Sequence, residues 1–489
     1  MSVFNISKSK RVEDIRKKID SLSKLEKARL NLLVSEDSGK LQDLTLTELY
    51  LLVNQYNLIY CEDWKEYLLF NGKYYYYVSD EYIENDIFHV ALANFEDKIL
   101  KKKKINTFST AFQNLQYLLP EERKIISNNL ALNLIALKDC VLDCDTSKTS
   151  PHSPEQFCFK YINENYADFF KECPVFLNYL QTTFIDSITG MVDPLLIDLV
   201  QEMFGAVIFG HEKINTAFFF VGVGANGKST LINLIQSFFD QRYVSHSSLK
   251  TLTTNQFGTA DLIGKILNVC SEEQSKYVQD DLFKSIVSKE TIRYEKKNKK
   301  SSSFKPMAAM IFATNDIPKF PQLDLAMKRR IMIVPFHRTF KEKEQDKNID
   351  KKLAQEKAPI IAWALDGYLR LKDNDFIFSK SEQSLASLLA LESDSSSAIQ
   401  YINEHYSLAI IENEEIAELA GFQWMTARDI FDGISLEGGM NYETWCGKYN
   451  NNAKMGFNSF SKSLKNSELV NEKNTKLKDK KSYYYLQVK

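Results

Sequence analysis

The segment Gly222-Val223-Gly224-Ala225-Asn226-Gly227-Lys228-Ser229-Thr230 holds the residue types that grip a nucleoside triphosphate. Its spacing fits G-x-x-x-x-G-K-[ST] in full. Gly222, Gly224 and Gly227 let backbone N–H groups curl around phosphates with no side chain in the way. The helix start that follows adds unsatisfied N–H donors and the positive end of a dipole. Lys228 is placed to bridge the β- and γ-phosphates and Ser229 to ligate Mg²⁺, with Asn226 and Thr230 completing the loop. ATP and Mg²⁺ are the expected cofactors.

Binding alone does no work. Turnover needs an acidic group for metal and water, a polar sensor and an arginine reaching in from a neighbour. An apolar run at 265–270 ends at Glu272 and Glu273, at the strand edge where α/β sheets place their ligands. One glutamate suits the Mg²⁺ shell, for which Glu272 is taken, and one can polarise the attacking water. The spacing does not separate the two roles. A third run, 307–314, ends at Asn315, whose amide could touch the γ-phosphate. A fourth, 331–336, is preceded by Arg329 and Arg330, and a guanidinium there suits a bidentate grip on a neighbour's γ-phosphate. Between the second and third runs, Lys296, Lys297, Lys299 and Lys300 form a positive loop able to track a phosphodiester backbone.

The elements that must hold these residues are legible from periodicity. The run 216–221 reads as a buried parallel strand, and 229–239 as a helix packing Leu231, Ile232, Leu234, Ile235 and Phe238 inward. Asp193-Pro194 starts a helix by N-cap and first-turn proline, and Gly210 stops it. Upstream, 8–33 reads as a charged amphipathic helix with Ile15, Ile19, Leu22 and Leu25 on one side, able to form a packed hairpin or an oligomerising collar. Residues 58–78 read as a β-hairpin turning at Asn71-Gly72, followed by helices near 81–100 and 106–118. The lysine run 101–104 reads as a solvated loop or helix end. Asp143 and Asp145 could hold metals in a polymerase-like site, but read here as a turn. Cys140, Cys144, His152 and Cys158 match no common zinc spacing and read as partly buried thiols.

Toward the end, 378–398 is serine-rich and acidic, in the manner of a linker. Beyond it lie a helix at 457–464, a basic turn at 470–481 and a strand at 483–488. Helix then hairpin outlines a winged helix. From 452 to 489 nine lysines face three acids, a local surplus of +6 that suits duplex DNA.

Over 489 residues, 44% are hydrophobic and 26% charged, a globular balance spread over several domains. The net charge of −2 excludes a protein that coats DNA with its whole surface, so nucleic-acid contact must be local. Seven scattered cysteines without a CxxC pair suit a reducing compartment. No segment suits a signal peptide or a membrane span, so a cytoplasmic protein of a bacterial host cell, with no membrane partner, is expected.

Taken in order, these motifs resemble the superfamily 3 helicases of the AAA+ class, and within them the phage and plasmid primase–helicase group related to the poxvirus primase–helicase. The resemblance covers roughly 60–375. It rests on the phosphate loop with its asparagine before Gly227-Lys228, on Leu262-Ile-Gly-Lys265 followed by Glu272, on Phe304-Lys-Pro306 with Ala313-Thr-Asn-Asp-Ile-Pro318, on Arg329-Arg330 with Pro335-Phe336, and on 360–368. Leu142-Asp143 with His152-Ser153-Pro154-Glu155 is similar to the helical domain ahead of such motors.

The resemblance implies an α/β multidomain protein. A helical N-terminal region (1–57) and a mixed domain (58–190) would precede an AAA+ P-loop NTPase core with a parallel sheet (191–375). A linker (376–399) and a small winged-helix-like domain (400–489) would follow. It also implies a homo-hexamer that moves 3′-to-5′ on single-stranded and forked DNA, with Asn315 as sensor, Arg329 or Arg330 as finger, and Lys297 and Lys299 on a channel hairpin. Origin duplex and other replication proteins are further expected partners. Relatives carry a catalytic primase domain, for which the stretch before residue 60 is too short, so primer synthesis is not expected. A replicative helicase of a mobile element is the leading expectation. An ATP-switched origin binder, a primase–helicase and an RNA helicase are the rivals.

Overall fold

The structure is a computed structural model that describes residues 2–36, 43–54, 57–94, 106–186, 189–274, 278–297, 301–318, 320, 323–395, 397–408, 423–433, 441–449, 456–465, 475–478 and 481–488. It is a mixed α/β chain that divides into two compact units. The first is Met1–Asp168 with Arg293–Lys305, and the second is Phe169–Ile292 with Pro306–Lys489. No helix among the described residues is long and apolar enough to cross a membrane.

In the first unit the charged N-terminal stretch breaks into two helices, Ser2–Ser21 and Lys24–Glu36, where the Ser23 hydroxyl accepts from Glu26 N and restarts the chain. Ile15, Leu22 and Leu30 are buried, whereas Leu25, expected on the same face, is 81% exposed because the break resets the helical phase. These side chains share one core with Leu46, Leu49, the hairpin residues Leu58 and Leu69, and Ile83, Ile87 and Leu115. The boundary expected at 57/58 therefore divides nothing. Asp43–Val53, Asp80–Asn94 and Asn106–Leu118 supply the remaining helices of that core. The hairpin pairs Glu66–Phe70 with Tyr75–Val78, and the Asn71 carboxamide accepts from Lys73 N and Tyr74 N at the turn. The lysine run 101–104 lies outside the described residues.

A second sheet in this unit has the order Lys148–Ser150, Val141–Asp143, Ala131–Ala136, Cys158–Tyr161. The Asp143 carboxylate accepts from Asp145 N at 2.9 Å, the Asx-type turn expected there. Cys144 and Cys158 are buried, and His152 Nε2 lies 2.9 Å from the Leu137 carbonyl. Among the described residues no group of three or more His, Cys, Asp or Glu side chains could hold a metal.

The second unit is built on a five-stranded sheet with the order Val244–Ser245, Leu267–Cys270, Ala309–Thr314, Ala217–Val221, Ile331–Pro335. Every pairing is parallel. The runs Phe218-Phe219-Phe220 and Ile311-Phe312-Ala313 are buried, as strands covered on both faces require. Helix Pro194–Ile208 starts at the Asp193 cap, whose carboxylate accepts from Leu196 N.

This helix meets Lys357–Asp373 backbone to backbone. A Cβ added to Gly205 would lie 2.6 Å from Tyr368 N, and one added to Gly367 would lie 2.5 Å from the Gln201 carbonyl. Gly205→Ala must force the pair apart and should cost about 1–3 kcal/mol, read as a lower midpoint in denaturant unfolding. An unchanged midpoint would mean the helices do not touch this closely.

The segment read as a linker is instead a helix, Glu382–Ser395, seated on the edge strand Ile331–Pro335. Two of the serines that suggested a loop are partnered inside the fold. Ser381 Oγ donates to the Asp193 carboxylate and Ser384 Oγ to the Ile333 carbonyl. Serine disfavours helices through bonds to its own neighbouring backbone, but these bonds reach distant elements and fasten the helix down.

The C-terminal residues form their own core around Tyr401, Ile402, Ile430, Tyr442, Trp445 and Phe460. Helices Ser397–His405, Ala427–Phe431, Tyr442–Tyr449 and Phe457–Lys465 accompany an antiparallel sheet in which Lys481–Val488 pairs with Tyr406–Leu408, Gln423–Thr426 and Thr475–Lys478.

Candidate functional site

The phosphate loop is shaped by what lies beneath it. A Cβ on Gly222 would sit 2.4 Å from the Phe336 carbonyl, so only glycine lets the loop leave its strand so close to the neighbouring one. Gly227 has φ +91, and its carbonyl accepts from Tyr179 Oη at 2.7 Å. Asn226, expected as part of the nucleotide-binding loop, is buried, with Nδ2 reaching the Phe336 carbonyl at 3.5 Å and Oδ1 accepting from Lys228 N at 3.3 Å. Its side chain fastens the loop rather than reaching out of it. Helix Lys228–Gln236 begins at once, with Ser229 exposed at its first turn.

Lys228 Nζ donates to the Gly222 carbonyl and lies 3.5 Å from Asn315 Oδ1. Burial pushes its ammonium pKa below the usual lysine value.

A cleft of about 1030 Å³ is lined by Gly224, Asn226, Gly227, Lys228, Ser229 and Thr230, together with Glu272, Glu273 and Asn315. The Gly222–Thr230 loop, the two glutamates and the Asn315 amide, with Lys228 and Asn315 87 positions apart in the chain, thus face one space. The two glutamates differ. Glu273 is 4% exposed, and its Oε2 accepts from Leu249 N at 2.7 Å, at the start of helix Leu249–Thr254. Glu272 is exposed to the cleft. Glu272 is thus the carboxylate open to the cleft and, with Ser229, could hold a metal there, while Glu273 is oriented by the backbone behind it.

The arginines also differ, and neither lines this cleft. Arg330 is tied inside its own chain, donating from Nε to Ser288 Oγ at 2.7 Å and from Nη1 to the Ala326 carbonyl at 2.5 Å. Arg329, at the end of helix Leu325–Lys328, is exposed.

The expected basic hairpin exists, as Ile292–Tyr294 paired with Ser302–Phe304. Lys296 is not available on it as expected, because its ammonium is paired with the buried Glu66 carboxylate. Tyr294 Oη adds a bond to the Trp64 carbonyl at 3.2 Å. Lys297 is exposed, and Lys299 and Lys300 lie outside the described residues.

Sequence reasoning missed one wall of the cleft. Tyr179, on helix Pro174–Thr183, is buried, and burial pushes its phenol pKa up, so it stays a donor to the loop. Arg338 and Phe340 follow the edge strand, and Phe340 N donates to the Ala225 carbonyl at 2.7 Å. The Cys173-Pro174 helix start was a usable signal for the first. Arg338 carried none, since it sits just past a block that drew attention to Arg329 and Arg330.

Residues 45–185 match the family described as "D5 N terminal like". Residues 220–330 match a family of unknown function, DUF5906. No curated protein matches the chain. Among solved structures, the A form apo structure of the NrS-1 C terminal region aligns with 92% of this chain and 100% of that one, at 14% identity and a TM-score of 0.46. A further apo structure of the same region aligns with 91% of this chain and 99% of that one, at 13% identity and a TM-score of 0.42.

Proposed function

We propose that this protein is an ATP-driven DNA helicase of the superfamily 3 type, a homo-hexameric replication motor of a phage, plasmid or related element. The observation that carries the reading is the convergence of Lys228, Ser229, Glu272, Glu273 and Asn315 on one cleft of a parallel sheet. In that sheet the strand that leads into Gly222–Thr230 lies between the strand that ends before Asn315 and the strand that follows Arg330, which supports one shared site at their ends. The D5 N terminal like match falls ahead of the phosphate loop, where primase–helicase relatives are expected to carry a helical domain.

In the reaction, the loop amides and Lys228 would hold the β- and γ-phosphates, and Ser229 with Glu272 would hold hydrated Mg²⁺. Glu273 would polarise the attacking water together with Asn315. Arg329 would reach the γ-phosphate of a neighbouring chain's ATP and stabilise charge as the bond breaks. Lys297, with Lys299 and Lys300, would carry the DNA grip. The C-terminal helices with their antiparallel sheet would act as a winged-helix module for duplex DNA, helped by the lysine surplus of 452–489.

The test is strand displacement on a forked duplex with ATP and Mg²⁺. The full chain should release the strand, and release should stop without ATP. Lys297→Ala should still bind ATP, displace poorly, and lower the salt slope of single-strand binding by about one. ATP-dependent DNA binding with no displacement would instead support an origin-binding switch. Normal displacement by Lys297→Ala would move the DNA grip off the hairpin.

A further inference from the structure

One wall of the cleft adds apolar and planar groups beside the charged Glu344, Asp346, Lys347 and Lys352. Val175, Phe340 and Ile349 are apolar, Asn178 adds an amide, and Arg338 adds a planar cation. The Arg338 guanidinium lies over the Phe340 ring, with its carbon 4.7 Å from the ring centroid. Its edge is already engaged. Nη1 donates to the Thr182 carbonyl at 2.7 Å, and Nη2 to Glu344 Oε1 at 3.2 Å. The side chain nevertheless keeps 27% of its surface exposed and lines the cleft.

A guanidinium that grips phosphate needs its edge N–H groups for a two-pronged contact. Here a carbonyl and a carboxylate take that edge, and Glu344 offsets the charge. What these bonds do instead is hold the plane of the guanidinium still. A flat, weakly hydrated cation held against an aromatic ring is a platform for another flat π-system.

We propose that Arg338, backed by Phe340, is the stacking platform for the nucleobase, so that the base completes a Phe340–Arg338–base stack. The Asn178 amide then lies on the same wall to meet the polar edge of the base. This rests on the reading of the cleft as the ATP site. It adds a base-recognition subsite formed by helix Pro174–Thr183 and the segment after the edge strand, separate from the phosphate loop.

Titration calorimetry of the full chain with Mg·ATP and, separately, with Mg·tripolyphosphate tests it, because the second ligand has no base. Arg338→Ala should weaken ATP about tenfold, the size of one lost stacking contact, and leave tripolyphosphate unchanged. Unchanged tripolyphosphate binding also shows that the variant's pocket is intact. Arg338→Lys keeps the charge but not the plane, and should weaken ATP as Arg338→Ala does. Equal weakening of both ligands, or full rescue by lysine, would overturn the proposal by making Arg338 a phosphate or charge contact. Lys228→Ala separates the underlying reading, since it should weaken both ligands. A wild-type chain that binds neither ligand would end that reading, and this one with it.

Discussion

Lys228→Ala should abolish Mg²⁺-dependent ATP hydrolysis, lowering kcat/KM by about a hundredfold or more. The ammonium stands between the Gly222 carbonyl and Asn315 Oδ1 and lines the same cleft as both glutamates. Its charge is held in a partly dry place, which is why its pKa falls. A triphosphate would relieve that cost, so the attraction is strongest where negative charge builds during transfer. Phosphate release in steady state is the readout, with circular dichroism to show that the fold persists. Turnover at a tenth of wild type or better would remove Lys228 from the centre of the chemistry.

The second large effect is expected in trans. Arg329→Ala should cost about a thousandfold in hydrolysis while nucleotide still binds, the scale of a lost arginine finger. Arg330→Ala should act differently. Its guanidinium bonds Ser288 and the Ala326 carbonyl, so its loss should lower stability by about 1–3 kcal/mol through those unpaired groups. Mixing distinguishes a finger from a local contact. Arg329→Ala chains combined with Lys228→Ala chains should regain turnover, because some shared sites then have an intact loop from one chain and an intact arginine from the other. Mixtures as inactive as either variant alone would place Arg329 outside the neighbour's site.

Four of the five strands of the parallel sheet were legible because both faces are covered, leaving apolar runs such as Phe218-Phe219-Phe220 with clear ends, whereas the two-residue strand Val244–Ser245 left no such run. The loop's shape was legible because its glycines sit where the backbone needs them, Gly222 against the Phe336 carbonyl and Gly227 at φ +91. Side-chain direction was not. Asn226 and Lys296 have the right chemistry to touch ligand or DNA, yet one turns to the Phe336 carbonyl and the other to Glu66. Periodicity cannot report a partner carried on another element.

The two glutamates were inseparable on paper for the same reason. Leu249 N, which holds Glu273, belongs to a different element of the chain. The linker was misread because serines that bond inward, to Asp193 and to the Ile333 carbonyl, have the composition of serines that face water. The unit boundary was misplaced because Met1–Asp168 and Arg293–Lys305, far apart in sequence, form one compact body.

The most direct test of the central claim is the rate of phosphate release from ATP by the purified full chain, measured with Mg²⁺ and with or without single-stranded DNA. The cleft predicts turnover that requires Mg²⁺ and rises when DNA is added. No Mg²⁺-dependent release above background, with or without DNA, would contradict it.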